Sequence, residues 1–200
     1  MTRRAALRIT LTAWFVLAAP AGAAVAGPFE DAYAAYNSGG YATALRLLRP
    51  LVDQGNADAE DMLGVMYFVG QGVTQNRAEA IRLYRLAAEQ GNAHAQNNLG
   101  FAYFDGVEVR QDYAEAAKWY SRAANQGNID AQFHLGEIYE LGKGVPQNYV
   151  LAYMWFSVVA APGTRPYAAE SRDRVAQQMT SEQIAEAQKL VREWKPKPER

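Results

Sequence analysis

Few side chains in this 200-residue chain are suited to covalent or acid–base chemistry. Cysteine is absent, which excludes a thiolate nucleophile, a thiolate metal site and any disulfide. The two histidines, His94 and His134, lie in no H-E-x-x-H spacing, the arrangement that sets two imidazoles on one helix face for zinc. No G-x-x-x-x-G-K-[ST] phosphate loop occurs. Ser38, Ser121, Ser157, Ser171 and Ser181 stand outside any nucleophile-elbow context. Glu137 and Glu140 share a helix face three residues apart, as many solvated carboxylate pairs do. A Ser/His pair assembled in space stays open. The pattern itself points to no catalytic residue, no cofactor and no metal ion.

These residues sit in a unit written three times. Blocks 56–91, 92–127 and 128–163 align without a gap, each 36 residues long. Shared columns include Leu63/Leu99/Leu135, Gly64/Gly100/Gly136, Tyr67/Tyr103/Tyr139, Gln75/Gln111/Gln147, Ala80/Ala116/Ala152 and Tyr84/Tyr120/Phe156. A fixed period in this range marks a stacked-repeat protein. His94 and His134 fall in different columns, so they are not a repeated ligand.

Composition adds limits. The net charge is −1, so no basic surplus points to nucleic acid. Arg3, Arg4 and Arg8 precede an apolar run over 9–19, followed by Ala24-Val25-Ala26, an A-x-A site. Residues 1–26 therefore read as a secretory signal peptide, and the run is about half the length that spans a bilayer. An uncleaved anchor is the alternative. With cleavage the expectation is a periplasmic or secreted chain with no stable membrane span. Lacking disulfides, it must draw stability from helix packing.

Each block reads as two antiparallel helices. In the first, helix A covers 57–69 and helix B 76–90. Gly91 permits the left-handed backbone that closes helix B. Gly70 and Gly72 punctuate the A–B turn, with Val73 as its apolar plug. Asn76 is an N-cap, Glu79 completes a capping-box pattern, and Asp112 with Glu115 repeats it. Asn148 has Leu151 and keeps half the box. Mid-helix glycine costs roughly 1 kcal/mol against alanine, so the Gly64 column implies close approach of helix B through its small Ala80 column. The aromatic columns are then expected to fill the gaps between repeats.

Residues 27–55 read as a degenerate leading hairpin, an N-terminal cap, with helices over 29–37 and 41–54. Phe29, Tyr33 and Tyr36 recur at helical spacing, and Pro50 should end or kink the second helix near Arg49. After 163, helices over 167–179 and 181–194 (Thr180/Gln183 capping box) are expected to close the stack over 164–194. Val175, Met179, Ile184, Ala187, Leu190, Val191 and Trp194 would form one joint apolar face. Residues 195–200 read as a disordered polar tail.

The run Asn92-Ala93-His94-Ala95-Gln96-Asn97-Asn98-Leu99-Gly100, followed by Tyr103, Gly106, Asp112-Tyr113, Ala116, Trp119-Tyr120, Ala123-Ala124 and Gln126-Gly127, resembles a Sel1-like repeat, a relative of the tetratricopeptide repeat. The resemblance covers 56–163 and extends weakly to 29–55. It implies an all-α fold: a right-handed α-solenoid of antiparallel helix pairs with a C-terminal capping helix pair. Glu108 departs from the pattern, standing where Gly72 and Gly144 stand, so the middle turn must differ or carry strain. The lack of cysteine sets the chain apart from disulfide-stapled exported relatives.

With Leu63 at zero on a helical wheel, Asp61, Val65 and Phe68 fall on the far side, as do Asn97, Phe101 and Phe104, then Phe133, Glu137 and Glu140. The resemblance places these columns on a concave surface, along with Met62, Asn98 and His134. Aromatic residues among amides and carboxylates suit an extended peptide or an amphipathic helix. Alternatively, the phenylalanines pack between successive A helices. The reading is a non-enzymatic scaffold of the bacterial envelope that binds a protein or peptide. A structural part of an envelope or exopolysaccharide export assembly, and a hydrolase of cell-wall peptides or β-lactams, are the alternatives.

Overall fold

A computed structural model describes residues 27–160 and 166–199. The expected signal peptide over 1–26 lies outside the described residues. So does the turn at Pro162. Among the described residues the chain forms ten α-helices: α1 (Pro28–Asn37), α2 (Tyr41–Asp53), α3 (Ala57–Val69), α4 (Arg77–Glu89), α5 (Ala93–Asp105), α6 (Tyr113–Asn125), α7 (Ile129–Leu141), α8 (Tyr149–Val159), α9 (Pro166–Ala176) and α10 (Ser181–Glu193). None of them is long and apolar enough to cross a membrane.

The chain is an α-solenoid. Helices α3/α4, α5/α6 and α7/α8 pair within repeats, and α4/α5 and α6/α7 pack between them. Helices α5 and α7, both A helices, also meet across neighbouring repeats, more closely than any two B helices do. The A helices therefore line the inner side of the curve. Met66, Leu83, Leu99, Tyr120, Leu135 and Phe156 are fully or almost fully buried, each contributing about 1.5–3 kcal/mol of transfer free energy.

The boundaries repeat as closely as the residues do. Asn56, Asn92 and Asn128 cap the A helices by accepting the N–H three residues on. Asn76, Asp112 and Asn148 do the same for the B helices. In each A–B turn the glutamine of the Gln75 column donates to the carbonyl of residue 68, 104 or 140 at 2.7–2.9 Å. That bond pins the turn to the last turn of its A helix and explains the column.

Several expectations need correction. The capping boxes of α4 and α6 are only half formed, because Glu79 pairs with Arg82 and Glu115 with Lys118 instead of reaching back. Among the described residues only the box of Thr180 and Gln183 is reciprocal. Pro50 does not end α2, which runs on to Asp53. The proline sits in the last turn, so one backbone bond is forfeited and Gly55 (φ 74°) makes the stop.

The Gly64 column does face helix B, but the close neighbour is the aromatic ring. A Cβ on Gly64, Gly100 or Gly136 would come within 2.7–2.8 Å of Tyr84, Tyr120 or Phe156. That aromatic column therefore packs against the A helix of its own hairpin and also reaches the next repeat, where Tyr120 meets His134 at 5.0 Å. Glu108 takes the left-handed backbone of its glycine counterparts, φ 54° against 72° and 71°. The turn is conserved in shape and the strain, about 1 kcal/mol, is accepted.

Helices α9 and α10 cover the end of the stack but do not form one joint face. Both pack on α8. Val175 and Met179 join Phe156 and Phe133, whereas Leu190, Val191 and Trp194 join Trp155 and Met154 on its other side. Residues 195–199 are not a free tail. They run back along the stack, held by hydrogen bonds from Lys197 and Glu199.

Candidate functional site

The inner face opens into a cleft at its N-terminal end. It encloses about 540 Å³ between α1, α3 and the start of α5. Aromatic and apolar walls come from Phe29, Tyr33, Tyr36, Met62 and Val65, and charge comes from Glu30, Asp58, Asp61 and His94. The stripe on α1 that reads as a cap-helix core thus forms one wall. Tyr33 is left 54% exposed there, an unusual degree for a ring of that size. Tyr36 bridges to the A–B turn of the first repeat through Gln71, which also bonds Tyr41.

Asp61 is the electrostatic centre. Asn98 Nδ2 donates to its Oδ1 at 2.9 Å, and Asn92 Nδ2 donates to the neighbouring Asp58 at 2.7 Å. Burial pushes the Asp61 carboxyl up to about 6, against the opposing pull of His94 and the Asn98 hydrogen bond. Among the described residues no Lys or Arg forms an ion pair with it. The cleft therefore presents a desolvated carboxylate among aromatic rings, an arrangement that favours a cationic group.

The twelve residues expected on the concave face divide. Asp61, Met62 and Val65 line the cleft, although Met62 is 7% exposed and acts as core rather than as a free contact. Asn98 is engaged with Asp61. Asn97 is only partly exposed, and its buried Oδ1 has no hydrogen-bond partner. The phenylalanines mostly pack between helices. Phe68 lies against Tyr84 and Phe101, Phe104 against Tyr113, and Phe133 against Phe156 and Tyr167. Phe101 alone among these four counts as an exposed hydrophobic. His134 Nδ1 lies 3.1 Å from Glu137. Glu140 is held by two guanidinium nitrogens of Arg174, Nε and Nη2, each at 2.8 Å.

Sequence reasoning missed Phe29, Glu30, Tyr33, Tyr36, Asp58, Asn92 and His94. The helical spacing of Phe29, Tyr33 and Tyr36 was the available signal. It could not say that the stripe overhangs α3 instead of being covered.

Comparison with known proteins bears on the repeat itself. The Sel1 repeat family profile matches residues 57–92, 93–128 and 129–158. A Sel1 repeat protein from Oxalobacter formigenes superposes with a TM-score of 0.63 at 32% identity, covering 74% of this chain and 56% of that one. The protein c5321, a protective antigen of uropathogenic Escherichia coli strains with an SLR fold, gives a TM-score of 0.59 at 27% identity, over 84% of this chain and 45% of that one. The chain thus spans about half the length of each of these structures. A search of curated proteins finds no match. With three consecutive matches over half the residues and the stacked hairpins that the match requires, the chain belongs to the Sel1 repeat family.

Proposed function

We propose that the protein is a non-enzymatic interaction scaffold of the bacterial cell envelope, binding a protein or peptide segment on the concave face at its N-terminal end. Sel1 repeats commonly mediate protein interactions. The observation that carries the finer reading is the cleft itself: exposed Tyr33 beside the partly buried carboxylate of Asp61. A lysine or arginine side chain of the bound segment would sit against Phe29 and Tyr33 and pair with Asp61 and Asp58. The envelope location rests on the export segment expected at 1–26.

Photo-crosslinking in intact cells tests the site. A benzophenone side chain at Tyr33 should yield a discrete adduct, and the same group at Lys118, on helix B, should not. The adduct should vanish with Asp61→Lys. Equal adducts at both positions, or persistence with Asp61→Lys, would remove the cleft from the function. Recovery of the chain from the cytoplasmic fraction would overturn the location.

A further inference from the structure

The C-terminal segment is seated like a bound peptide. Its anchor is Trp194, whose indole meets that of Trp155 edge to face at 5.9 Å. The backbone turns extended at Trp194 (ψ 135°) and proceeds through Pro196 and Pro198 along the rim formed by the loops that join one repeat to the next. Lys197 N–H donates to the Asn125 carbonyl at 2.7 Å. Two residues on, Glu199 N–H donates to Gln126 Oε1 at 3.1 Å. Alternate amides of an extended strand thus bond the rim, while prolines, which have no N–H, occupy the positions between them.

The Glu199 carboxylate enters a socket. Arg122 grips it through both Nε (2.9 Å) and a terminal nitrogen, and Gln96 Nε2 donates at 2.9 Å. Gln96 is completely buried, and Gln126 Nε2 donates to its Oε1. Arg122 lies 4.8 Å over the Trp119 ring, which orients the guanidinium. The Arg122 hydrogen bonds hold the Glu199 carboxyl below its usual range. A Cβ at Gly91 would come 3.1 Å from that of Glu199, so the loop there leaves room for the strand.

The socket belongs to the middle repeat alone. The Arg122 column holds Leu86 and Val158, and the Gln96 column holds Glu60 in the first repeat. There Gln90 donates to Glu60 at 2.7 Å. A carboxylate at that place would repel a second one, whereas an amide offers a donor. Charge complementarity at the rim therefore selects an acidic ligand in one repeat only.

We infer that Arg122, Gln96 and Gln126 form a second peptide site, a receptor for an extended proline-flanked segment bearing a glutamate, which the chain's own tail fills and which a partner segment of that chemistry enters by displacing it. None of these residues lines the concave cleft, so the inference stands apart from the function proposed there. The tether gives the tail a high effective concentration, so a free peptide binds weakly until the tail is released.

The full chain carries the test. In the wild type, amide exchange of Lys197 and Glu199 followed by NMR should be slowed, and slowing should be lost in Glu199→Lys. A fluorescent peptide copying residues 195–200 should bind the Glu199→Lys chain about tenfold or more tightly than the wild type. It should lose that binding with Arg122→Lys added, which keeps the charge and stem but not the fork. A peptide with glutamine in place of its glutamate should not bind. Unprotected amides in the wild type, equal peptide binding by wild type and Glu199→Lys, or binding indifferent to Arg122→Lys would each overturn the inference. Unchanged amide spectra for the core of each variant separate these outcomes from misfolding.

Discussion

The junction between the first and second repeats and the middle repeat's own rim use the same columns with opposite polarity. In the first repeat, Asp58, Glu60 and Asp61 bring three carboxylates to the junction, answered by the amides of Asn92, Gln90 and Asn98. In the second, His94, Gln96 and Asn97 occupy those columns. Arg122 adds a guanidinium, and the site accepts a carboxylate from the tail. One backbone frame thus displays a cation-seeking cleft and an anion-seeking socket. Stacked repeats allow this because each unit contacts only its neighbours, so columns outside the core can diverge repeat by repeat.

The comparison depends on a common frame, and the largest effects should come from breaking it. Gly144→Glu should destabilise the fold by about 3 kcal/mol or more, since any Cβ there would come 2.3 Å from the Tyr113 backbone at φ 71°. Chemical denaturation of that variant would measure it, and a loss near zero would mean that this turn accommodates a side chain as the Glu108 turn does. Leu99→Ala, which empties a fully buried site in the middle repeat, should cost about 2–5 kcal/mol by the same measurement.

Asp61 sharpens the comparison from the acidic side. Burial raises its carboxyl from an ordinary 3.8 to about 6 in the folded chain. The folded chain therefore binds this proton more tightly, and the contribution of Asp61 to stability is most favourable below about pH 4, falls as pH rises from 4 to 6 and is level above that. Asp61→Asn removes that penalty while keeping an acceptor for Asn98. It should gain about 1–3 kcal/mol at pH 8 and nothing below pH 4. A gain that is flat with pH would show that the carboxylate is not desolvated.

Two further effects probe the middle repeat. Gln96→Glu copies the first repeat's column into the second and should cost about 1–3 kcal/mol, because the buried Ala88 carbonyl loses its donor, with the part due to repulsion by Glu199 shrinking at high salt. A larger loss in a chain already carrying Glu199→Gln would mean that the tail is not what the new charge opposes. Glu108→Gly should gain about 0.5–1 kcal/mol by relieving the left-handed backbone. A loss would show that the Glu108 side chain contributes a contact larger than the strain.

Legibility followed the range of the interaction. The Asn caps, the glycine stops and the three-fold helix alternation rest on residues within one turn of each other, and the period exposes them. The partners of the Gly64 column were harder: the sequence shows that something approaches, while the choice between Ala80 and Tyr84 depends on how the hairpin crosses. Pro50 misled because a proline in a final turn forfeits one bond without steric consequence downstream. Glu79 had a competing partner three residues away, Arg82, and solvent exposure let that ion pair win over the box.

The concave face was legible as a set of columns and opaque as a site. Asp61, Met62 and Val65 do line the cleft, but its aromatic wall comes from α1, and Met62, Asn98 and Glu140 are engaged within the chain. The tail shows the same boundary more sharply. Lys-Pro-Lys-Pro-Glu has the composition of a solvated end, and only the distance-independent meeting of Glu199 with Arg122, 77 residues earlier, gives it a place.

The amino-acid order by itself determined the hairpin, its caps, its number of copies and the family, because those features arise from local backbone preferences and a periodic apolar pattern. Which polar side chains meet across repeats was decided only by the tertiary stack. Superposing one 36-residue unit on the next brings residues that are distant along the chain, such as Asp61 and Asn98 or Gln96 and Glu199, within hydrogen-bond reach, and no window of sequence contains that juxtaposition.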